Sequence, residues 1–496
     1  MKIMNKPCQY AILLIALLLA SCDKYRTEPI PQEDKPVKFM VLTDIHYMHP
    51  DILRQEGKAW SEYNWEECKL LKESQDIFNA VIDSARVVEP DFILVCGDMT
   101  KDGEVVCHQY VADAFRRLEK EIGTNVLVVP GNHDMNNPHS LYYDGDTTSP
   151  AETADETKFE QIYSDLGYSE AVARRESSLD YMAYPADGIA VICVDSNEKN
   201  TPEKVLVQGG LSVDQVAWIS EMAMMARTDG RKVLMMMHHN LVDFYDNAQL
   251  IRGANIANAR YDYNNRMLID DLCAAGVDVV FSGHSHMHSI TSATSDGHTI
   301  YSVVTSSLVN LPLAFRIGTI SRCGTMKLWT SDVKDCKPSD GVDLKEEGAR
   351  YWLDLSDYYM SVAADKVWEY GSLLMPALGI YSRDDLKAFL DENFKNVFFT
   401  FTLRTSDGNE HLVSPKQDYD QAMSAIDGFL NYLDKRHCKN IVDVLVNLIL
   451  GFGIDDVRGT MSDFFSSAYF NYLGDGPVMP DDCITIQWSS HCAAGL

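Results

Sequence analysis

From Val37 onward, short apolar runs alternate with longer amphipathic stretches. The runs Lys38–Thr43 (KFMVLT), Asp91–Cys96 (DFILVC), Asn125–Val129 (NVLVV), Ile189–Val194 (IAVICV), Lys232–Met237 (KVLMMM) and Val277–Phe281 (VDVVF) read as strands buried on both faces. Between the first two, Leu70, Ile77, Phe78, Val81, Ile82 and Ala85 recur at helical spacing, and Val213–Ala226 and Asn264–Ala275 repeat the pattern. One apolar stripe per helix is what packing on a sheet requires. Strands alternating with helices predict a layered α/β domain over 37–335. Two stretches rich in Tyr, Trp and charge, Tyr47–Glu66 and Glu170–Ala186, interrupt the pattern and are expected to overhang the active face. A polar linker runs from Cys336 through Gly341, followed by helical patterns at Glu346–Glu369, Arg383–Asn393, Lys416–Leu433 and Asn440–Leu450. Residues 340–496 therefore read as a mainly helical C-terminal domain, and neither repeats nor low-complexity tracts are evident.

The N-terminus has a different character. Lys2 and Lys6 precede an unbroken apolar run, Ala11–Ala20, which is too short to span a bilayer and suits a signal-peptide core. The run ends in Leu19-Ala20-Ser21-Cys22, which resembles the lipobox of bacterial lipoproteins. That resemblance implies removal of residues 1–21, acyl chains on Cys22, a Pro-containing tether over 22–36, and a place on a cell-envelope membrane, outer or periplasm-facing. The competing reading is an ordinary secretory signal that happens to end near a Cys. At 496 residues, 46% hydrophobic and 23% charged, the chain has the composition of a globular protein with room for two or three domains. Its net charge of -30 argues against a nucleic acid partner, because such binding rests on cationic side chains neutralising phosphates. An exported chain could pair some of its cysteines, but no C-x-x-C zinc spacing occurs. Cys96 and Cys193 lie inside apolar runs and read as small buried hydrophobes.

The strong polar motifs all follow strands. Asp44-Ile45-His46, Gly97-Asp98, Gly131-Asn132-His133-Asp134, His238-His239-Asn240 and Gly283-His284-Ser285-His286 each stand at the end of an apolar run. In an α/β sheet the carboxyl ends of the strands form the ligand-binding edge, so separate segments deliver Asp, His and Asn to one rim. Mixed oxygen and imidazole donors suit zinc, manganese or iron. In Asp44-x-His46, and again in His284-x-His286, alternate residues at a strand end point the same way. A carboxylate such as Asp98 can bridge two cations through its two oxygens. Glycines at 97, 131 and 283 allow backbone to come close to such a site.

These blocks, in this order, resemble the calcineurin-like metallophosphoesterase family, which includes purple acid phosphatases and class III cyclic nucleotide phosphodiesterases. The resemblance covers roughly residues 37–325 and implies a four-layer α/β/β/α sandwich. It implies two divalent or trivalent metal ions (Mn, Zn or Fe), the first held by Asp44, His46 and His286 and the second by Asn132, His238 and His284, with Asp98 bridging. His133 would not bind metal; it would hydrogen-bond the phosphate and assist the leaving group. Two ions about 3.5–4 Å apart lower the pKa of a bridging water, and the hydroxide attacks phosphorus in line. Some relatives carry an Asp three positions after the bridging Asp to orient that His, but Lys101 stands there in this chain and Asp102 follows it. Whether Asp102 or Asp134 takes the role stays open. His239 reads as lying behind the ligands or facing substrate, and His49 and His288 as solvated or structural. Arg252 and Asn255 could touch substrate, or serve as a helix cap or surface contact. The expected function is hydrolysis of a small-molecule phosphomonoester or phosphodiester at a membrane-anchored site. The alternative is a lipid-anchored binding protein that retains metal without turnover.

Overall fold

The structure, a computed structural model, describes residues 35–67, 69–202, 204–242, 266–286, 288–321, 324–333, 336–372, 375–395, 424, 427 and 483–487. Cys22, Arg252, Asn255 and, apart from 424 and 427, the helical patterns at 416–433 and 440–450 lie outside these residues. In chain order the elements begin with β1 (Val37–Leu42), β2 (Leu53–Gln55), α1 (Lys58–Glu67), α2 (Ser74–Val88), β3 (Phe92–Val95), α3 (Val105–Ile122) and β4 (Asn125–Val128). Next come β5 (Leu141–Asp144), β6 (Thr147–Pro150), α4 (Glu156–Ile162), β7 (Ala173–Arg174), β8 (Tyr181–Ala183), β9 (Ile189–Cys193), α5 (Val213–Thr228) and β10 (Lys232–Met236). The remainder are α6 (Arg266–Ala275), β11 (Val279–Ser282), β12 (Ser289–Ser295), β13 (His298–Val304), β14 (Ala314–Ile320), β15 (Thr325–Asp332), α7 (Leu344–Gly371), α8 (Arg383–Leu390) and β16 (Cys483–Gln487).

Two large sheets carry the fold. One runs in the order β16-β15-β14-β1-β3-β4 and the other β12-β13-β11-β10-β9-β8-β7, while β2, β5 and β6 make a small third sheet. The apolar runs form the parallel centres: β1 pairs β3 and β3 pairs β4, and β9, β10, β11 and β13 pair in parallel succession. Alternate residues of the second sheet face opposite ways, as strand geometry requires. Val191, Cys193, Leu234, Met236, Val279 and Phe281 join the main core, whereas Ala190, Ile192, Val233, Met235 and Val280 join a second cluster with helices α5 and α6. Phe39 of β1 meets Phe281 of β11 at 5.6 Å between ring centroids, so the two sheets pack face to face. Helices α2 and α3 meet through Phe78 and Phe115 and complete the layers on the first sheet. The arrangement is the four-layer α/β/β/α sandwich, with a partly helical C-terminal segment.

Several features depart from the sequence pattern. Helix α3 is absent from the expected elements, although its buried positions Val105, His108, Val111, Phe115 and Leu118 recur every three or four residues. Strand β12 (SITSATS) is an edge strand and largely polar. The stretch 170–186 is not simply an overhang: β7 and β8 extend the second sheet antiparallel to β9. The turn between them, Arg174 to Leu179, does line a cleft of about 770 Å³ beside Asn132. The stretch 47–66 folds into β2 and helix α1, which packs against α7 through Trp65 and Tyr358, ring centroids 5.1 Å apart. Strand β16 pairs antiparallel with β15, so a piece of the C-terminal segment adds an edge to the first sheet.

Candidate metal centre

The polar motifs lie just past the strands, where the loops continue the pairing of the sheet. Asp44 N–H donates to Gly97 O at 3.0 Å, His46 N–H to Asp98 O at 2.9 Å and Tyr47 N–H to Met99 O at 3.0 Å. Asp44, His46, Asp98, His284 and His286 all have positive φ, between 43° and 67°. This corrects the expectation that strand alternation aligns Asp44 with His46 and His284 with His286. Left-handed turns aim these side chains, at about 1–3 kcal/mol of strain each for non-glycine residues. The surrounding hydrogen bonds and packing sustain that strain at one rim.

The donor atoms fall into two groups. In the first, His46 Nε2 lies 3.1 Å from His286 Nε2, 3.8 Å from Asp44 Oδ1 and 3.7 Å from Asp98 Oδ2, and His286 Nε2 lies 3.3 Å from Asp44 Oδ1. In the second, Asn132 Oδ1 lies 3.1 Å from His238 Nε2 and 2.9 Å from His284 Nδ1, and His238 Nε2 lies 3.3 Å from Asp98 Oδ2. Asp98 therefore stands between the groups, but not by sharing out its two oxygens as the sequence reading supposed. Its Oδ1 accepts the His133 backbone N–H at 2.8 Å, and Oδ2 alone faces His46 and His238. In Asp44, Oδ2 accepts from Thr43 Oγ1 (2.6 Å), the His284 N–H is shared between Oδ2 (3.0 Å) and Oδ1 (3.2 Å), and Oδ1 lies toward His286. Two glycines make this closeness possible. A Cβ at Gly131 would collide with Asp98, and one at Gly283 with Thr43 and Asp44.

Chemically this rim calls for cations. His238 Nδ1 points at Cys96 O from 2.9 Å and donates to it, so in the neutral ring Nε2 is a lone pair facing the Asn132 and Asp98 oxygens. Acceptors facing one another about 3 Å apart in a buried place repel unless a proton or metal ion sits between them. Burial opposes charge on His238, yet the Asp98 carboxylate outweighs it and pushes the imidazole up to about 9. Burial and then the Lys69 cation drive His46 the other way, well below the ordinary histidine range. His46 Nδ1 is buried without a hydrogen-bond partner. Ligand atoms of Asp44, His46 and His286, of His46, Asp98 and His133, and of Asp44, Asp98 and His238 each converge within 4.8 Å. The residues fit metal ions, and the nitrogen and oxygen donor set suits Zn, Mn or Fe.

A family model for calcineurin-like phosphoesterases matches residues 37–288. The chain belongs to the calcineurin-like phosphoesterase family. No curated protein matches it in sequence. Among solved structures it is similar to a dimetal phosphatase from Danio rerio, at 13% identity and a TM-score of 0.41, covering 60% of this chain and 97% of that one. It is also similar to a purple acid phosphatase from yellow lupin (Lupinus luteus) seeds, at 12% identity and a TM-score of 0.36, covering 62% and 54% respectively. A third is the calcineurin-like phosphoesterase YfkN from Bacillus subtilis, at 11% identity and a TM-score of 0.30, covering 64% and 95%.

In this calcineurin-like phosphoesterase, His133 sits beside the donor groups, its ring 4.8 Å from that of His46. Its Nδ1 lies 2.9 Å from both Lys101 O and Asp102 Oδ1. Both are acceptors, so Nδ1 carries the proton and Nε2 is the free edge of the ring. Burial and Lys69 lower its pKa, but the Asp98 and Asp102 carboxylates prevail and hold it above the ordinary value. The open question between two aspartates is thereby answered: Asp102 faces His133, and Asp134 does not. Asp134 accepts from Gly131 N (2.9 Å), Met99 N (3.2 Å), Thr100 N (3.0 Å) and Thr100 Oγ1 (2.9 Å), tying the 98–100 and 131–134 loops together. His239 is buried, with Nδ1 2.9 Å from Ser196 Oγ and Nε2 3.3 Å from Val207 O, and its ring packs on that of His284 at 4.3 Å. His288 contacts Thr330 Oγ1 at 2.6 Å, and His49 accepts from Asp51 N at 3.2 Å, both structural roles.

Sequence reasoning passed over Tyr63 and Lys69 and named Lys101 only as a departure from the family pattern. Lys101 is fully buried, paired with Asp102 and with Glu104 at 3.1 Å, and lies 4.3 Å over the Tyr63 ring. Lys69 is buried and paired with Glu67 at 2.6 Å. A lysine beside two acidic residues in Lys101-Asp102-Gly103-Glu104 is a weak hint of a buried pair, and nothing local marks Tyr63.

Proposed function

We propose that this chain hydrolyses a small phosphomonoester or phosphodiester at a two-metal centre. In this reading Asp44, His46 and His286 hold one ion, Asn132, His238 and His284 hold the other, and Asp98 bridges them. The observation that carries it is the convergence of these donor atoms, from five loops, at separations of 2.9–3.8 Å around Asp98 Oδ2. When bound, ions at these donors would acidify a water and neutralise charge on the phosphoryl oxygens. The chain's own side chains supply the rest. The Asp98 carboxylate, anchored through Oδ1 to the His133 amide, keeps the two donor groups in register. His133 holds its Nδ1 proton toward Asp102 and Lys101 O, and in its protonated form donates from Nε2 to the departing oxygen. Exclusion of water around fully buried Asp44, His46, Asp98 and His238 strengthens each of these interactions.

The N-terminal sequence Leu19-Ala20-Ser21-Cys22 supports a further part of the proposal, that acyl chains on Cys22 hold the enzyme at a bacterial cell-envelope membrane. Replacing Cys22 by Ser should move the protein from the membrane to the soluble fraction; unchanged partition would reject the anchor. The catalytic reading is tested by reconstituting the chain with Mn, Zn or Fe and assaying p-nitrophenyl phosphate and bis-p-nitrophenyl phosphate. Metal-dependent release is the expected result, and the ratio of the two rates assigns mono- or diesterase character. Bound metal with no release from either ester would replace catalysis with a binding role.

A further inference from the structure

The Asp102 carboxylate divides its two oxygens between opposite neighbours. Oδ1 accepts from His133 Nδ1 at 2.9 Å and from Asn137 Nδ2 at 3.0 Å. Oδ2 accepts from Tyr63 Oη at 2.7 Å and from Lys101 Nζ. Tyr63 belongs to helix α1, which lies outside all five motif loops. Its ring sits among Trp60 (5.9 Å) and Tyr143 (5.3 Å) and covers the Lys101 cation. Burial and the adjoining carboxylate raise its phenol well above the ordinary range, so the hydroxyl stays a donor.

The torsion that orients a carboxylate is soft, and hydrogen bonds to both oxygens are what select one setting. Lys101 alone is a poor guide for Oδ2. Its ammonium is shared with Glu104 Oε1 at 3.1 Å and His139 O at 3.2 Å, and a point charge imposes little direction. The Tyr63 hydroxyl is held at one place by the aromatic packing around it. We infer that Tyr63 is a positioning residue for the reaction: through Asp102 it sets the orientation of His133 toward the leaving group. The inference rests on the reading of His133 as the leaving-group acid. Because Trp65 of α1 packs on Tyr358 of α7, the setting of His133 is tied to the C-terminal segment as well.

The test compares the full chain with its Tyr63→Phe variant, both loaded with Mn, on phosphate esters of p-nitrophenol, phenol and methanol. A good leaving group needs little protonation and a poor one needs much. Tyr63→Phe is therefore expected to lower kcat about tenfold for the phenyl and methyl esters and about twofold or less for the p-nitrophenyl ester. Metal content by elemental analysis and the melting temperature should stay at the parent values. Glu62→Gln, at an exposed position on the same helix without a bond to Asp102, should leave the leaving-group dependence unchanged. His133→Ala is measured beside them and should show the steepest dependence. If His133→Ala is steep and Tyr63→Phe slows all esters equally, slows none, or loses metal, the role given to Tyr63 is wrong while His133 keeps its own. If His133→Ala itself depends on no leaving group, the reading of His133 fails and the inference falls with it.

Discussion

The donor cluster and the pocket around Asp102 are neighbours built in opposite ways. The cluster is assembled from short loops at strand ends, each holding its ligand candidates next to a glycine or in a left-handed turn. Its residues are acceptors brought face to face, a stressed arrangement that only cations or protons relieve. The Asp102 pocket is the reverse. There Lys101 pairs with Asp102 and Glu104, and Tyr63 and Asn137 donate to the Asp102 carboxylate. In the proposed reading the first region awaits a ligand, and the second orients a single side chain, His133. On that reading, the difference separates residues that would hold reacting species from residues that would hold His133 in place.

The largest expected effect comes from the atom shared by both donor groups. Asp98→Ala should lower turnover by at least about 10⁴-fold and reduce metal content, since it removes the carboxylate oxygen that lies 3.7 Å from His46 Nε2 and 3.3 Å from His238 Nε2. Retained activity would break the comparison on the cluster side. His133→Ala should cost about 10³-fold in kcat with metal content unchanged, as expected for a group acting on the leaving oxygen. Loss of metal would move His133 from the second region to the first. Asp102→Asn should cost about 10- to 100-fold, also with metals retained, because the Nδ1 proton of His133 loses a charged acceptor.

The smallest effect on chemistry is expected at Asp134. There a carboxylate accepts four hydrogen bonds from the 98–100 and 131–134 loops, and Asp134→Asn would point an amide donor at other donors. It should destabilise the fold by about 2 kcal/mol while the folded fraction works within about threefold of the parent rate. Melting temperature read beside kcat separates the two aspartates: Asp102→Asn lowers rate and Asp134→Asn lowers stability. The same outcome for both would erase the distinction drawn here.

The contrast also explains what the sequence made legible. The strand runs lie within one or two residues of the observed strands, because a buried parallel strand is continuously apolar. KFMVLT is one such run, and β1 spans Val37–Leu42. The ligand candidates were legible because each stands just after such a run. How they reach each other was not: left-handed φ at Asp44, His46, His284 and His286 leaves no mark in composition for residues other than glycine. Nor could spacing show that Asp98 faces both groups with one oxygen. Helix α3 was not among the expected elements, although its pattern was legible, since Val105, His108, Val111, Phe115 and Leu118 recur every three or four residues. Tyr63 was invisible for a plainer reason, since its partner is 39 residues away and the contact exists only once α1 has packed.

The central claim is that the five loops seat a pair of metal ions on either side of Asp98. Anomalous diffraction from Mn-soaked crystals tests this directly. The account predicts two peaks about 3.5–4 Å apart, one against Asp44, His46 and His286 and the other against Asn132, His238 and His284, both in contact with Asp98 Oδ2. Peaks elsewhere on the molecule, or a saturated crystal with no density between these side chains, would contradict it.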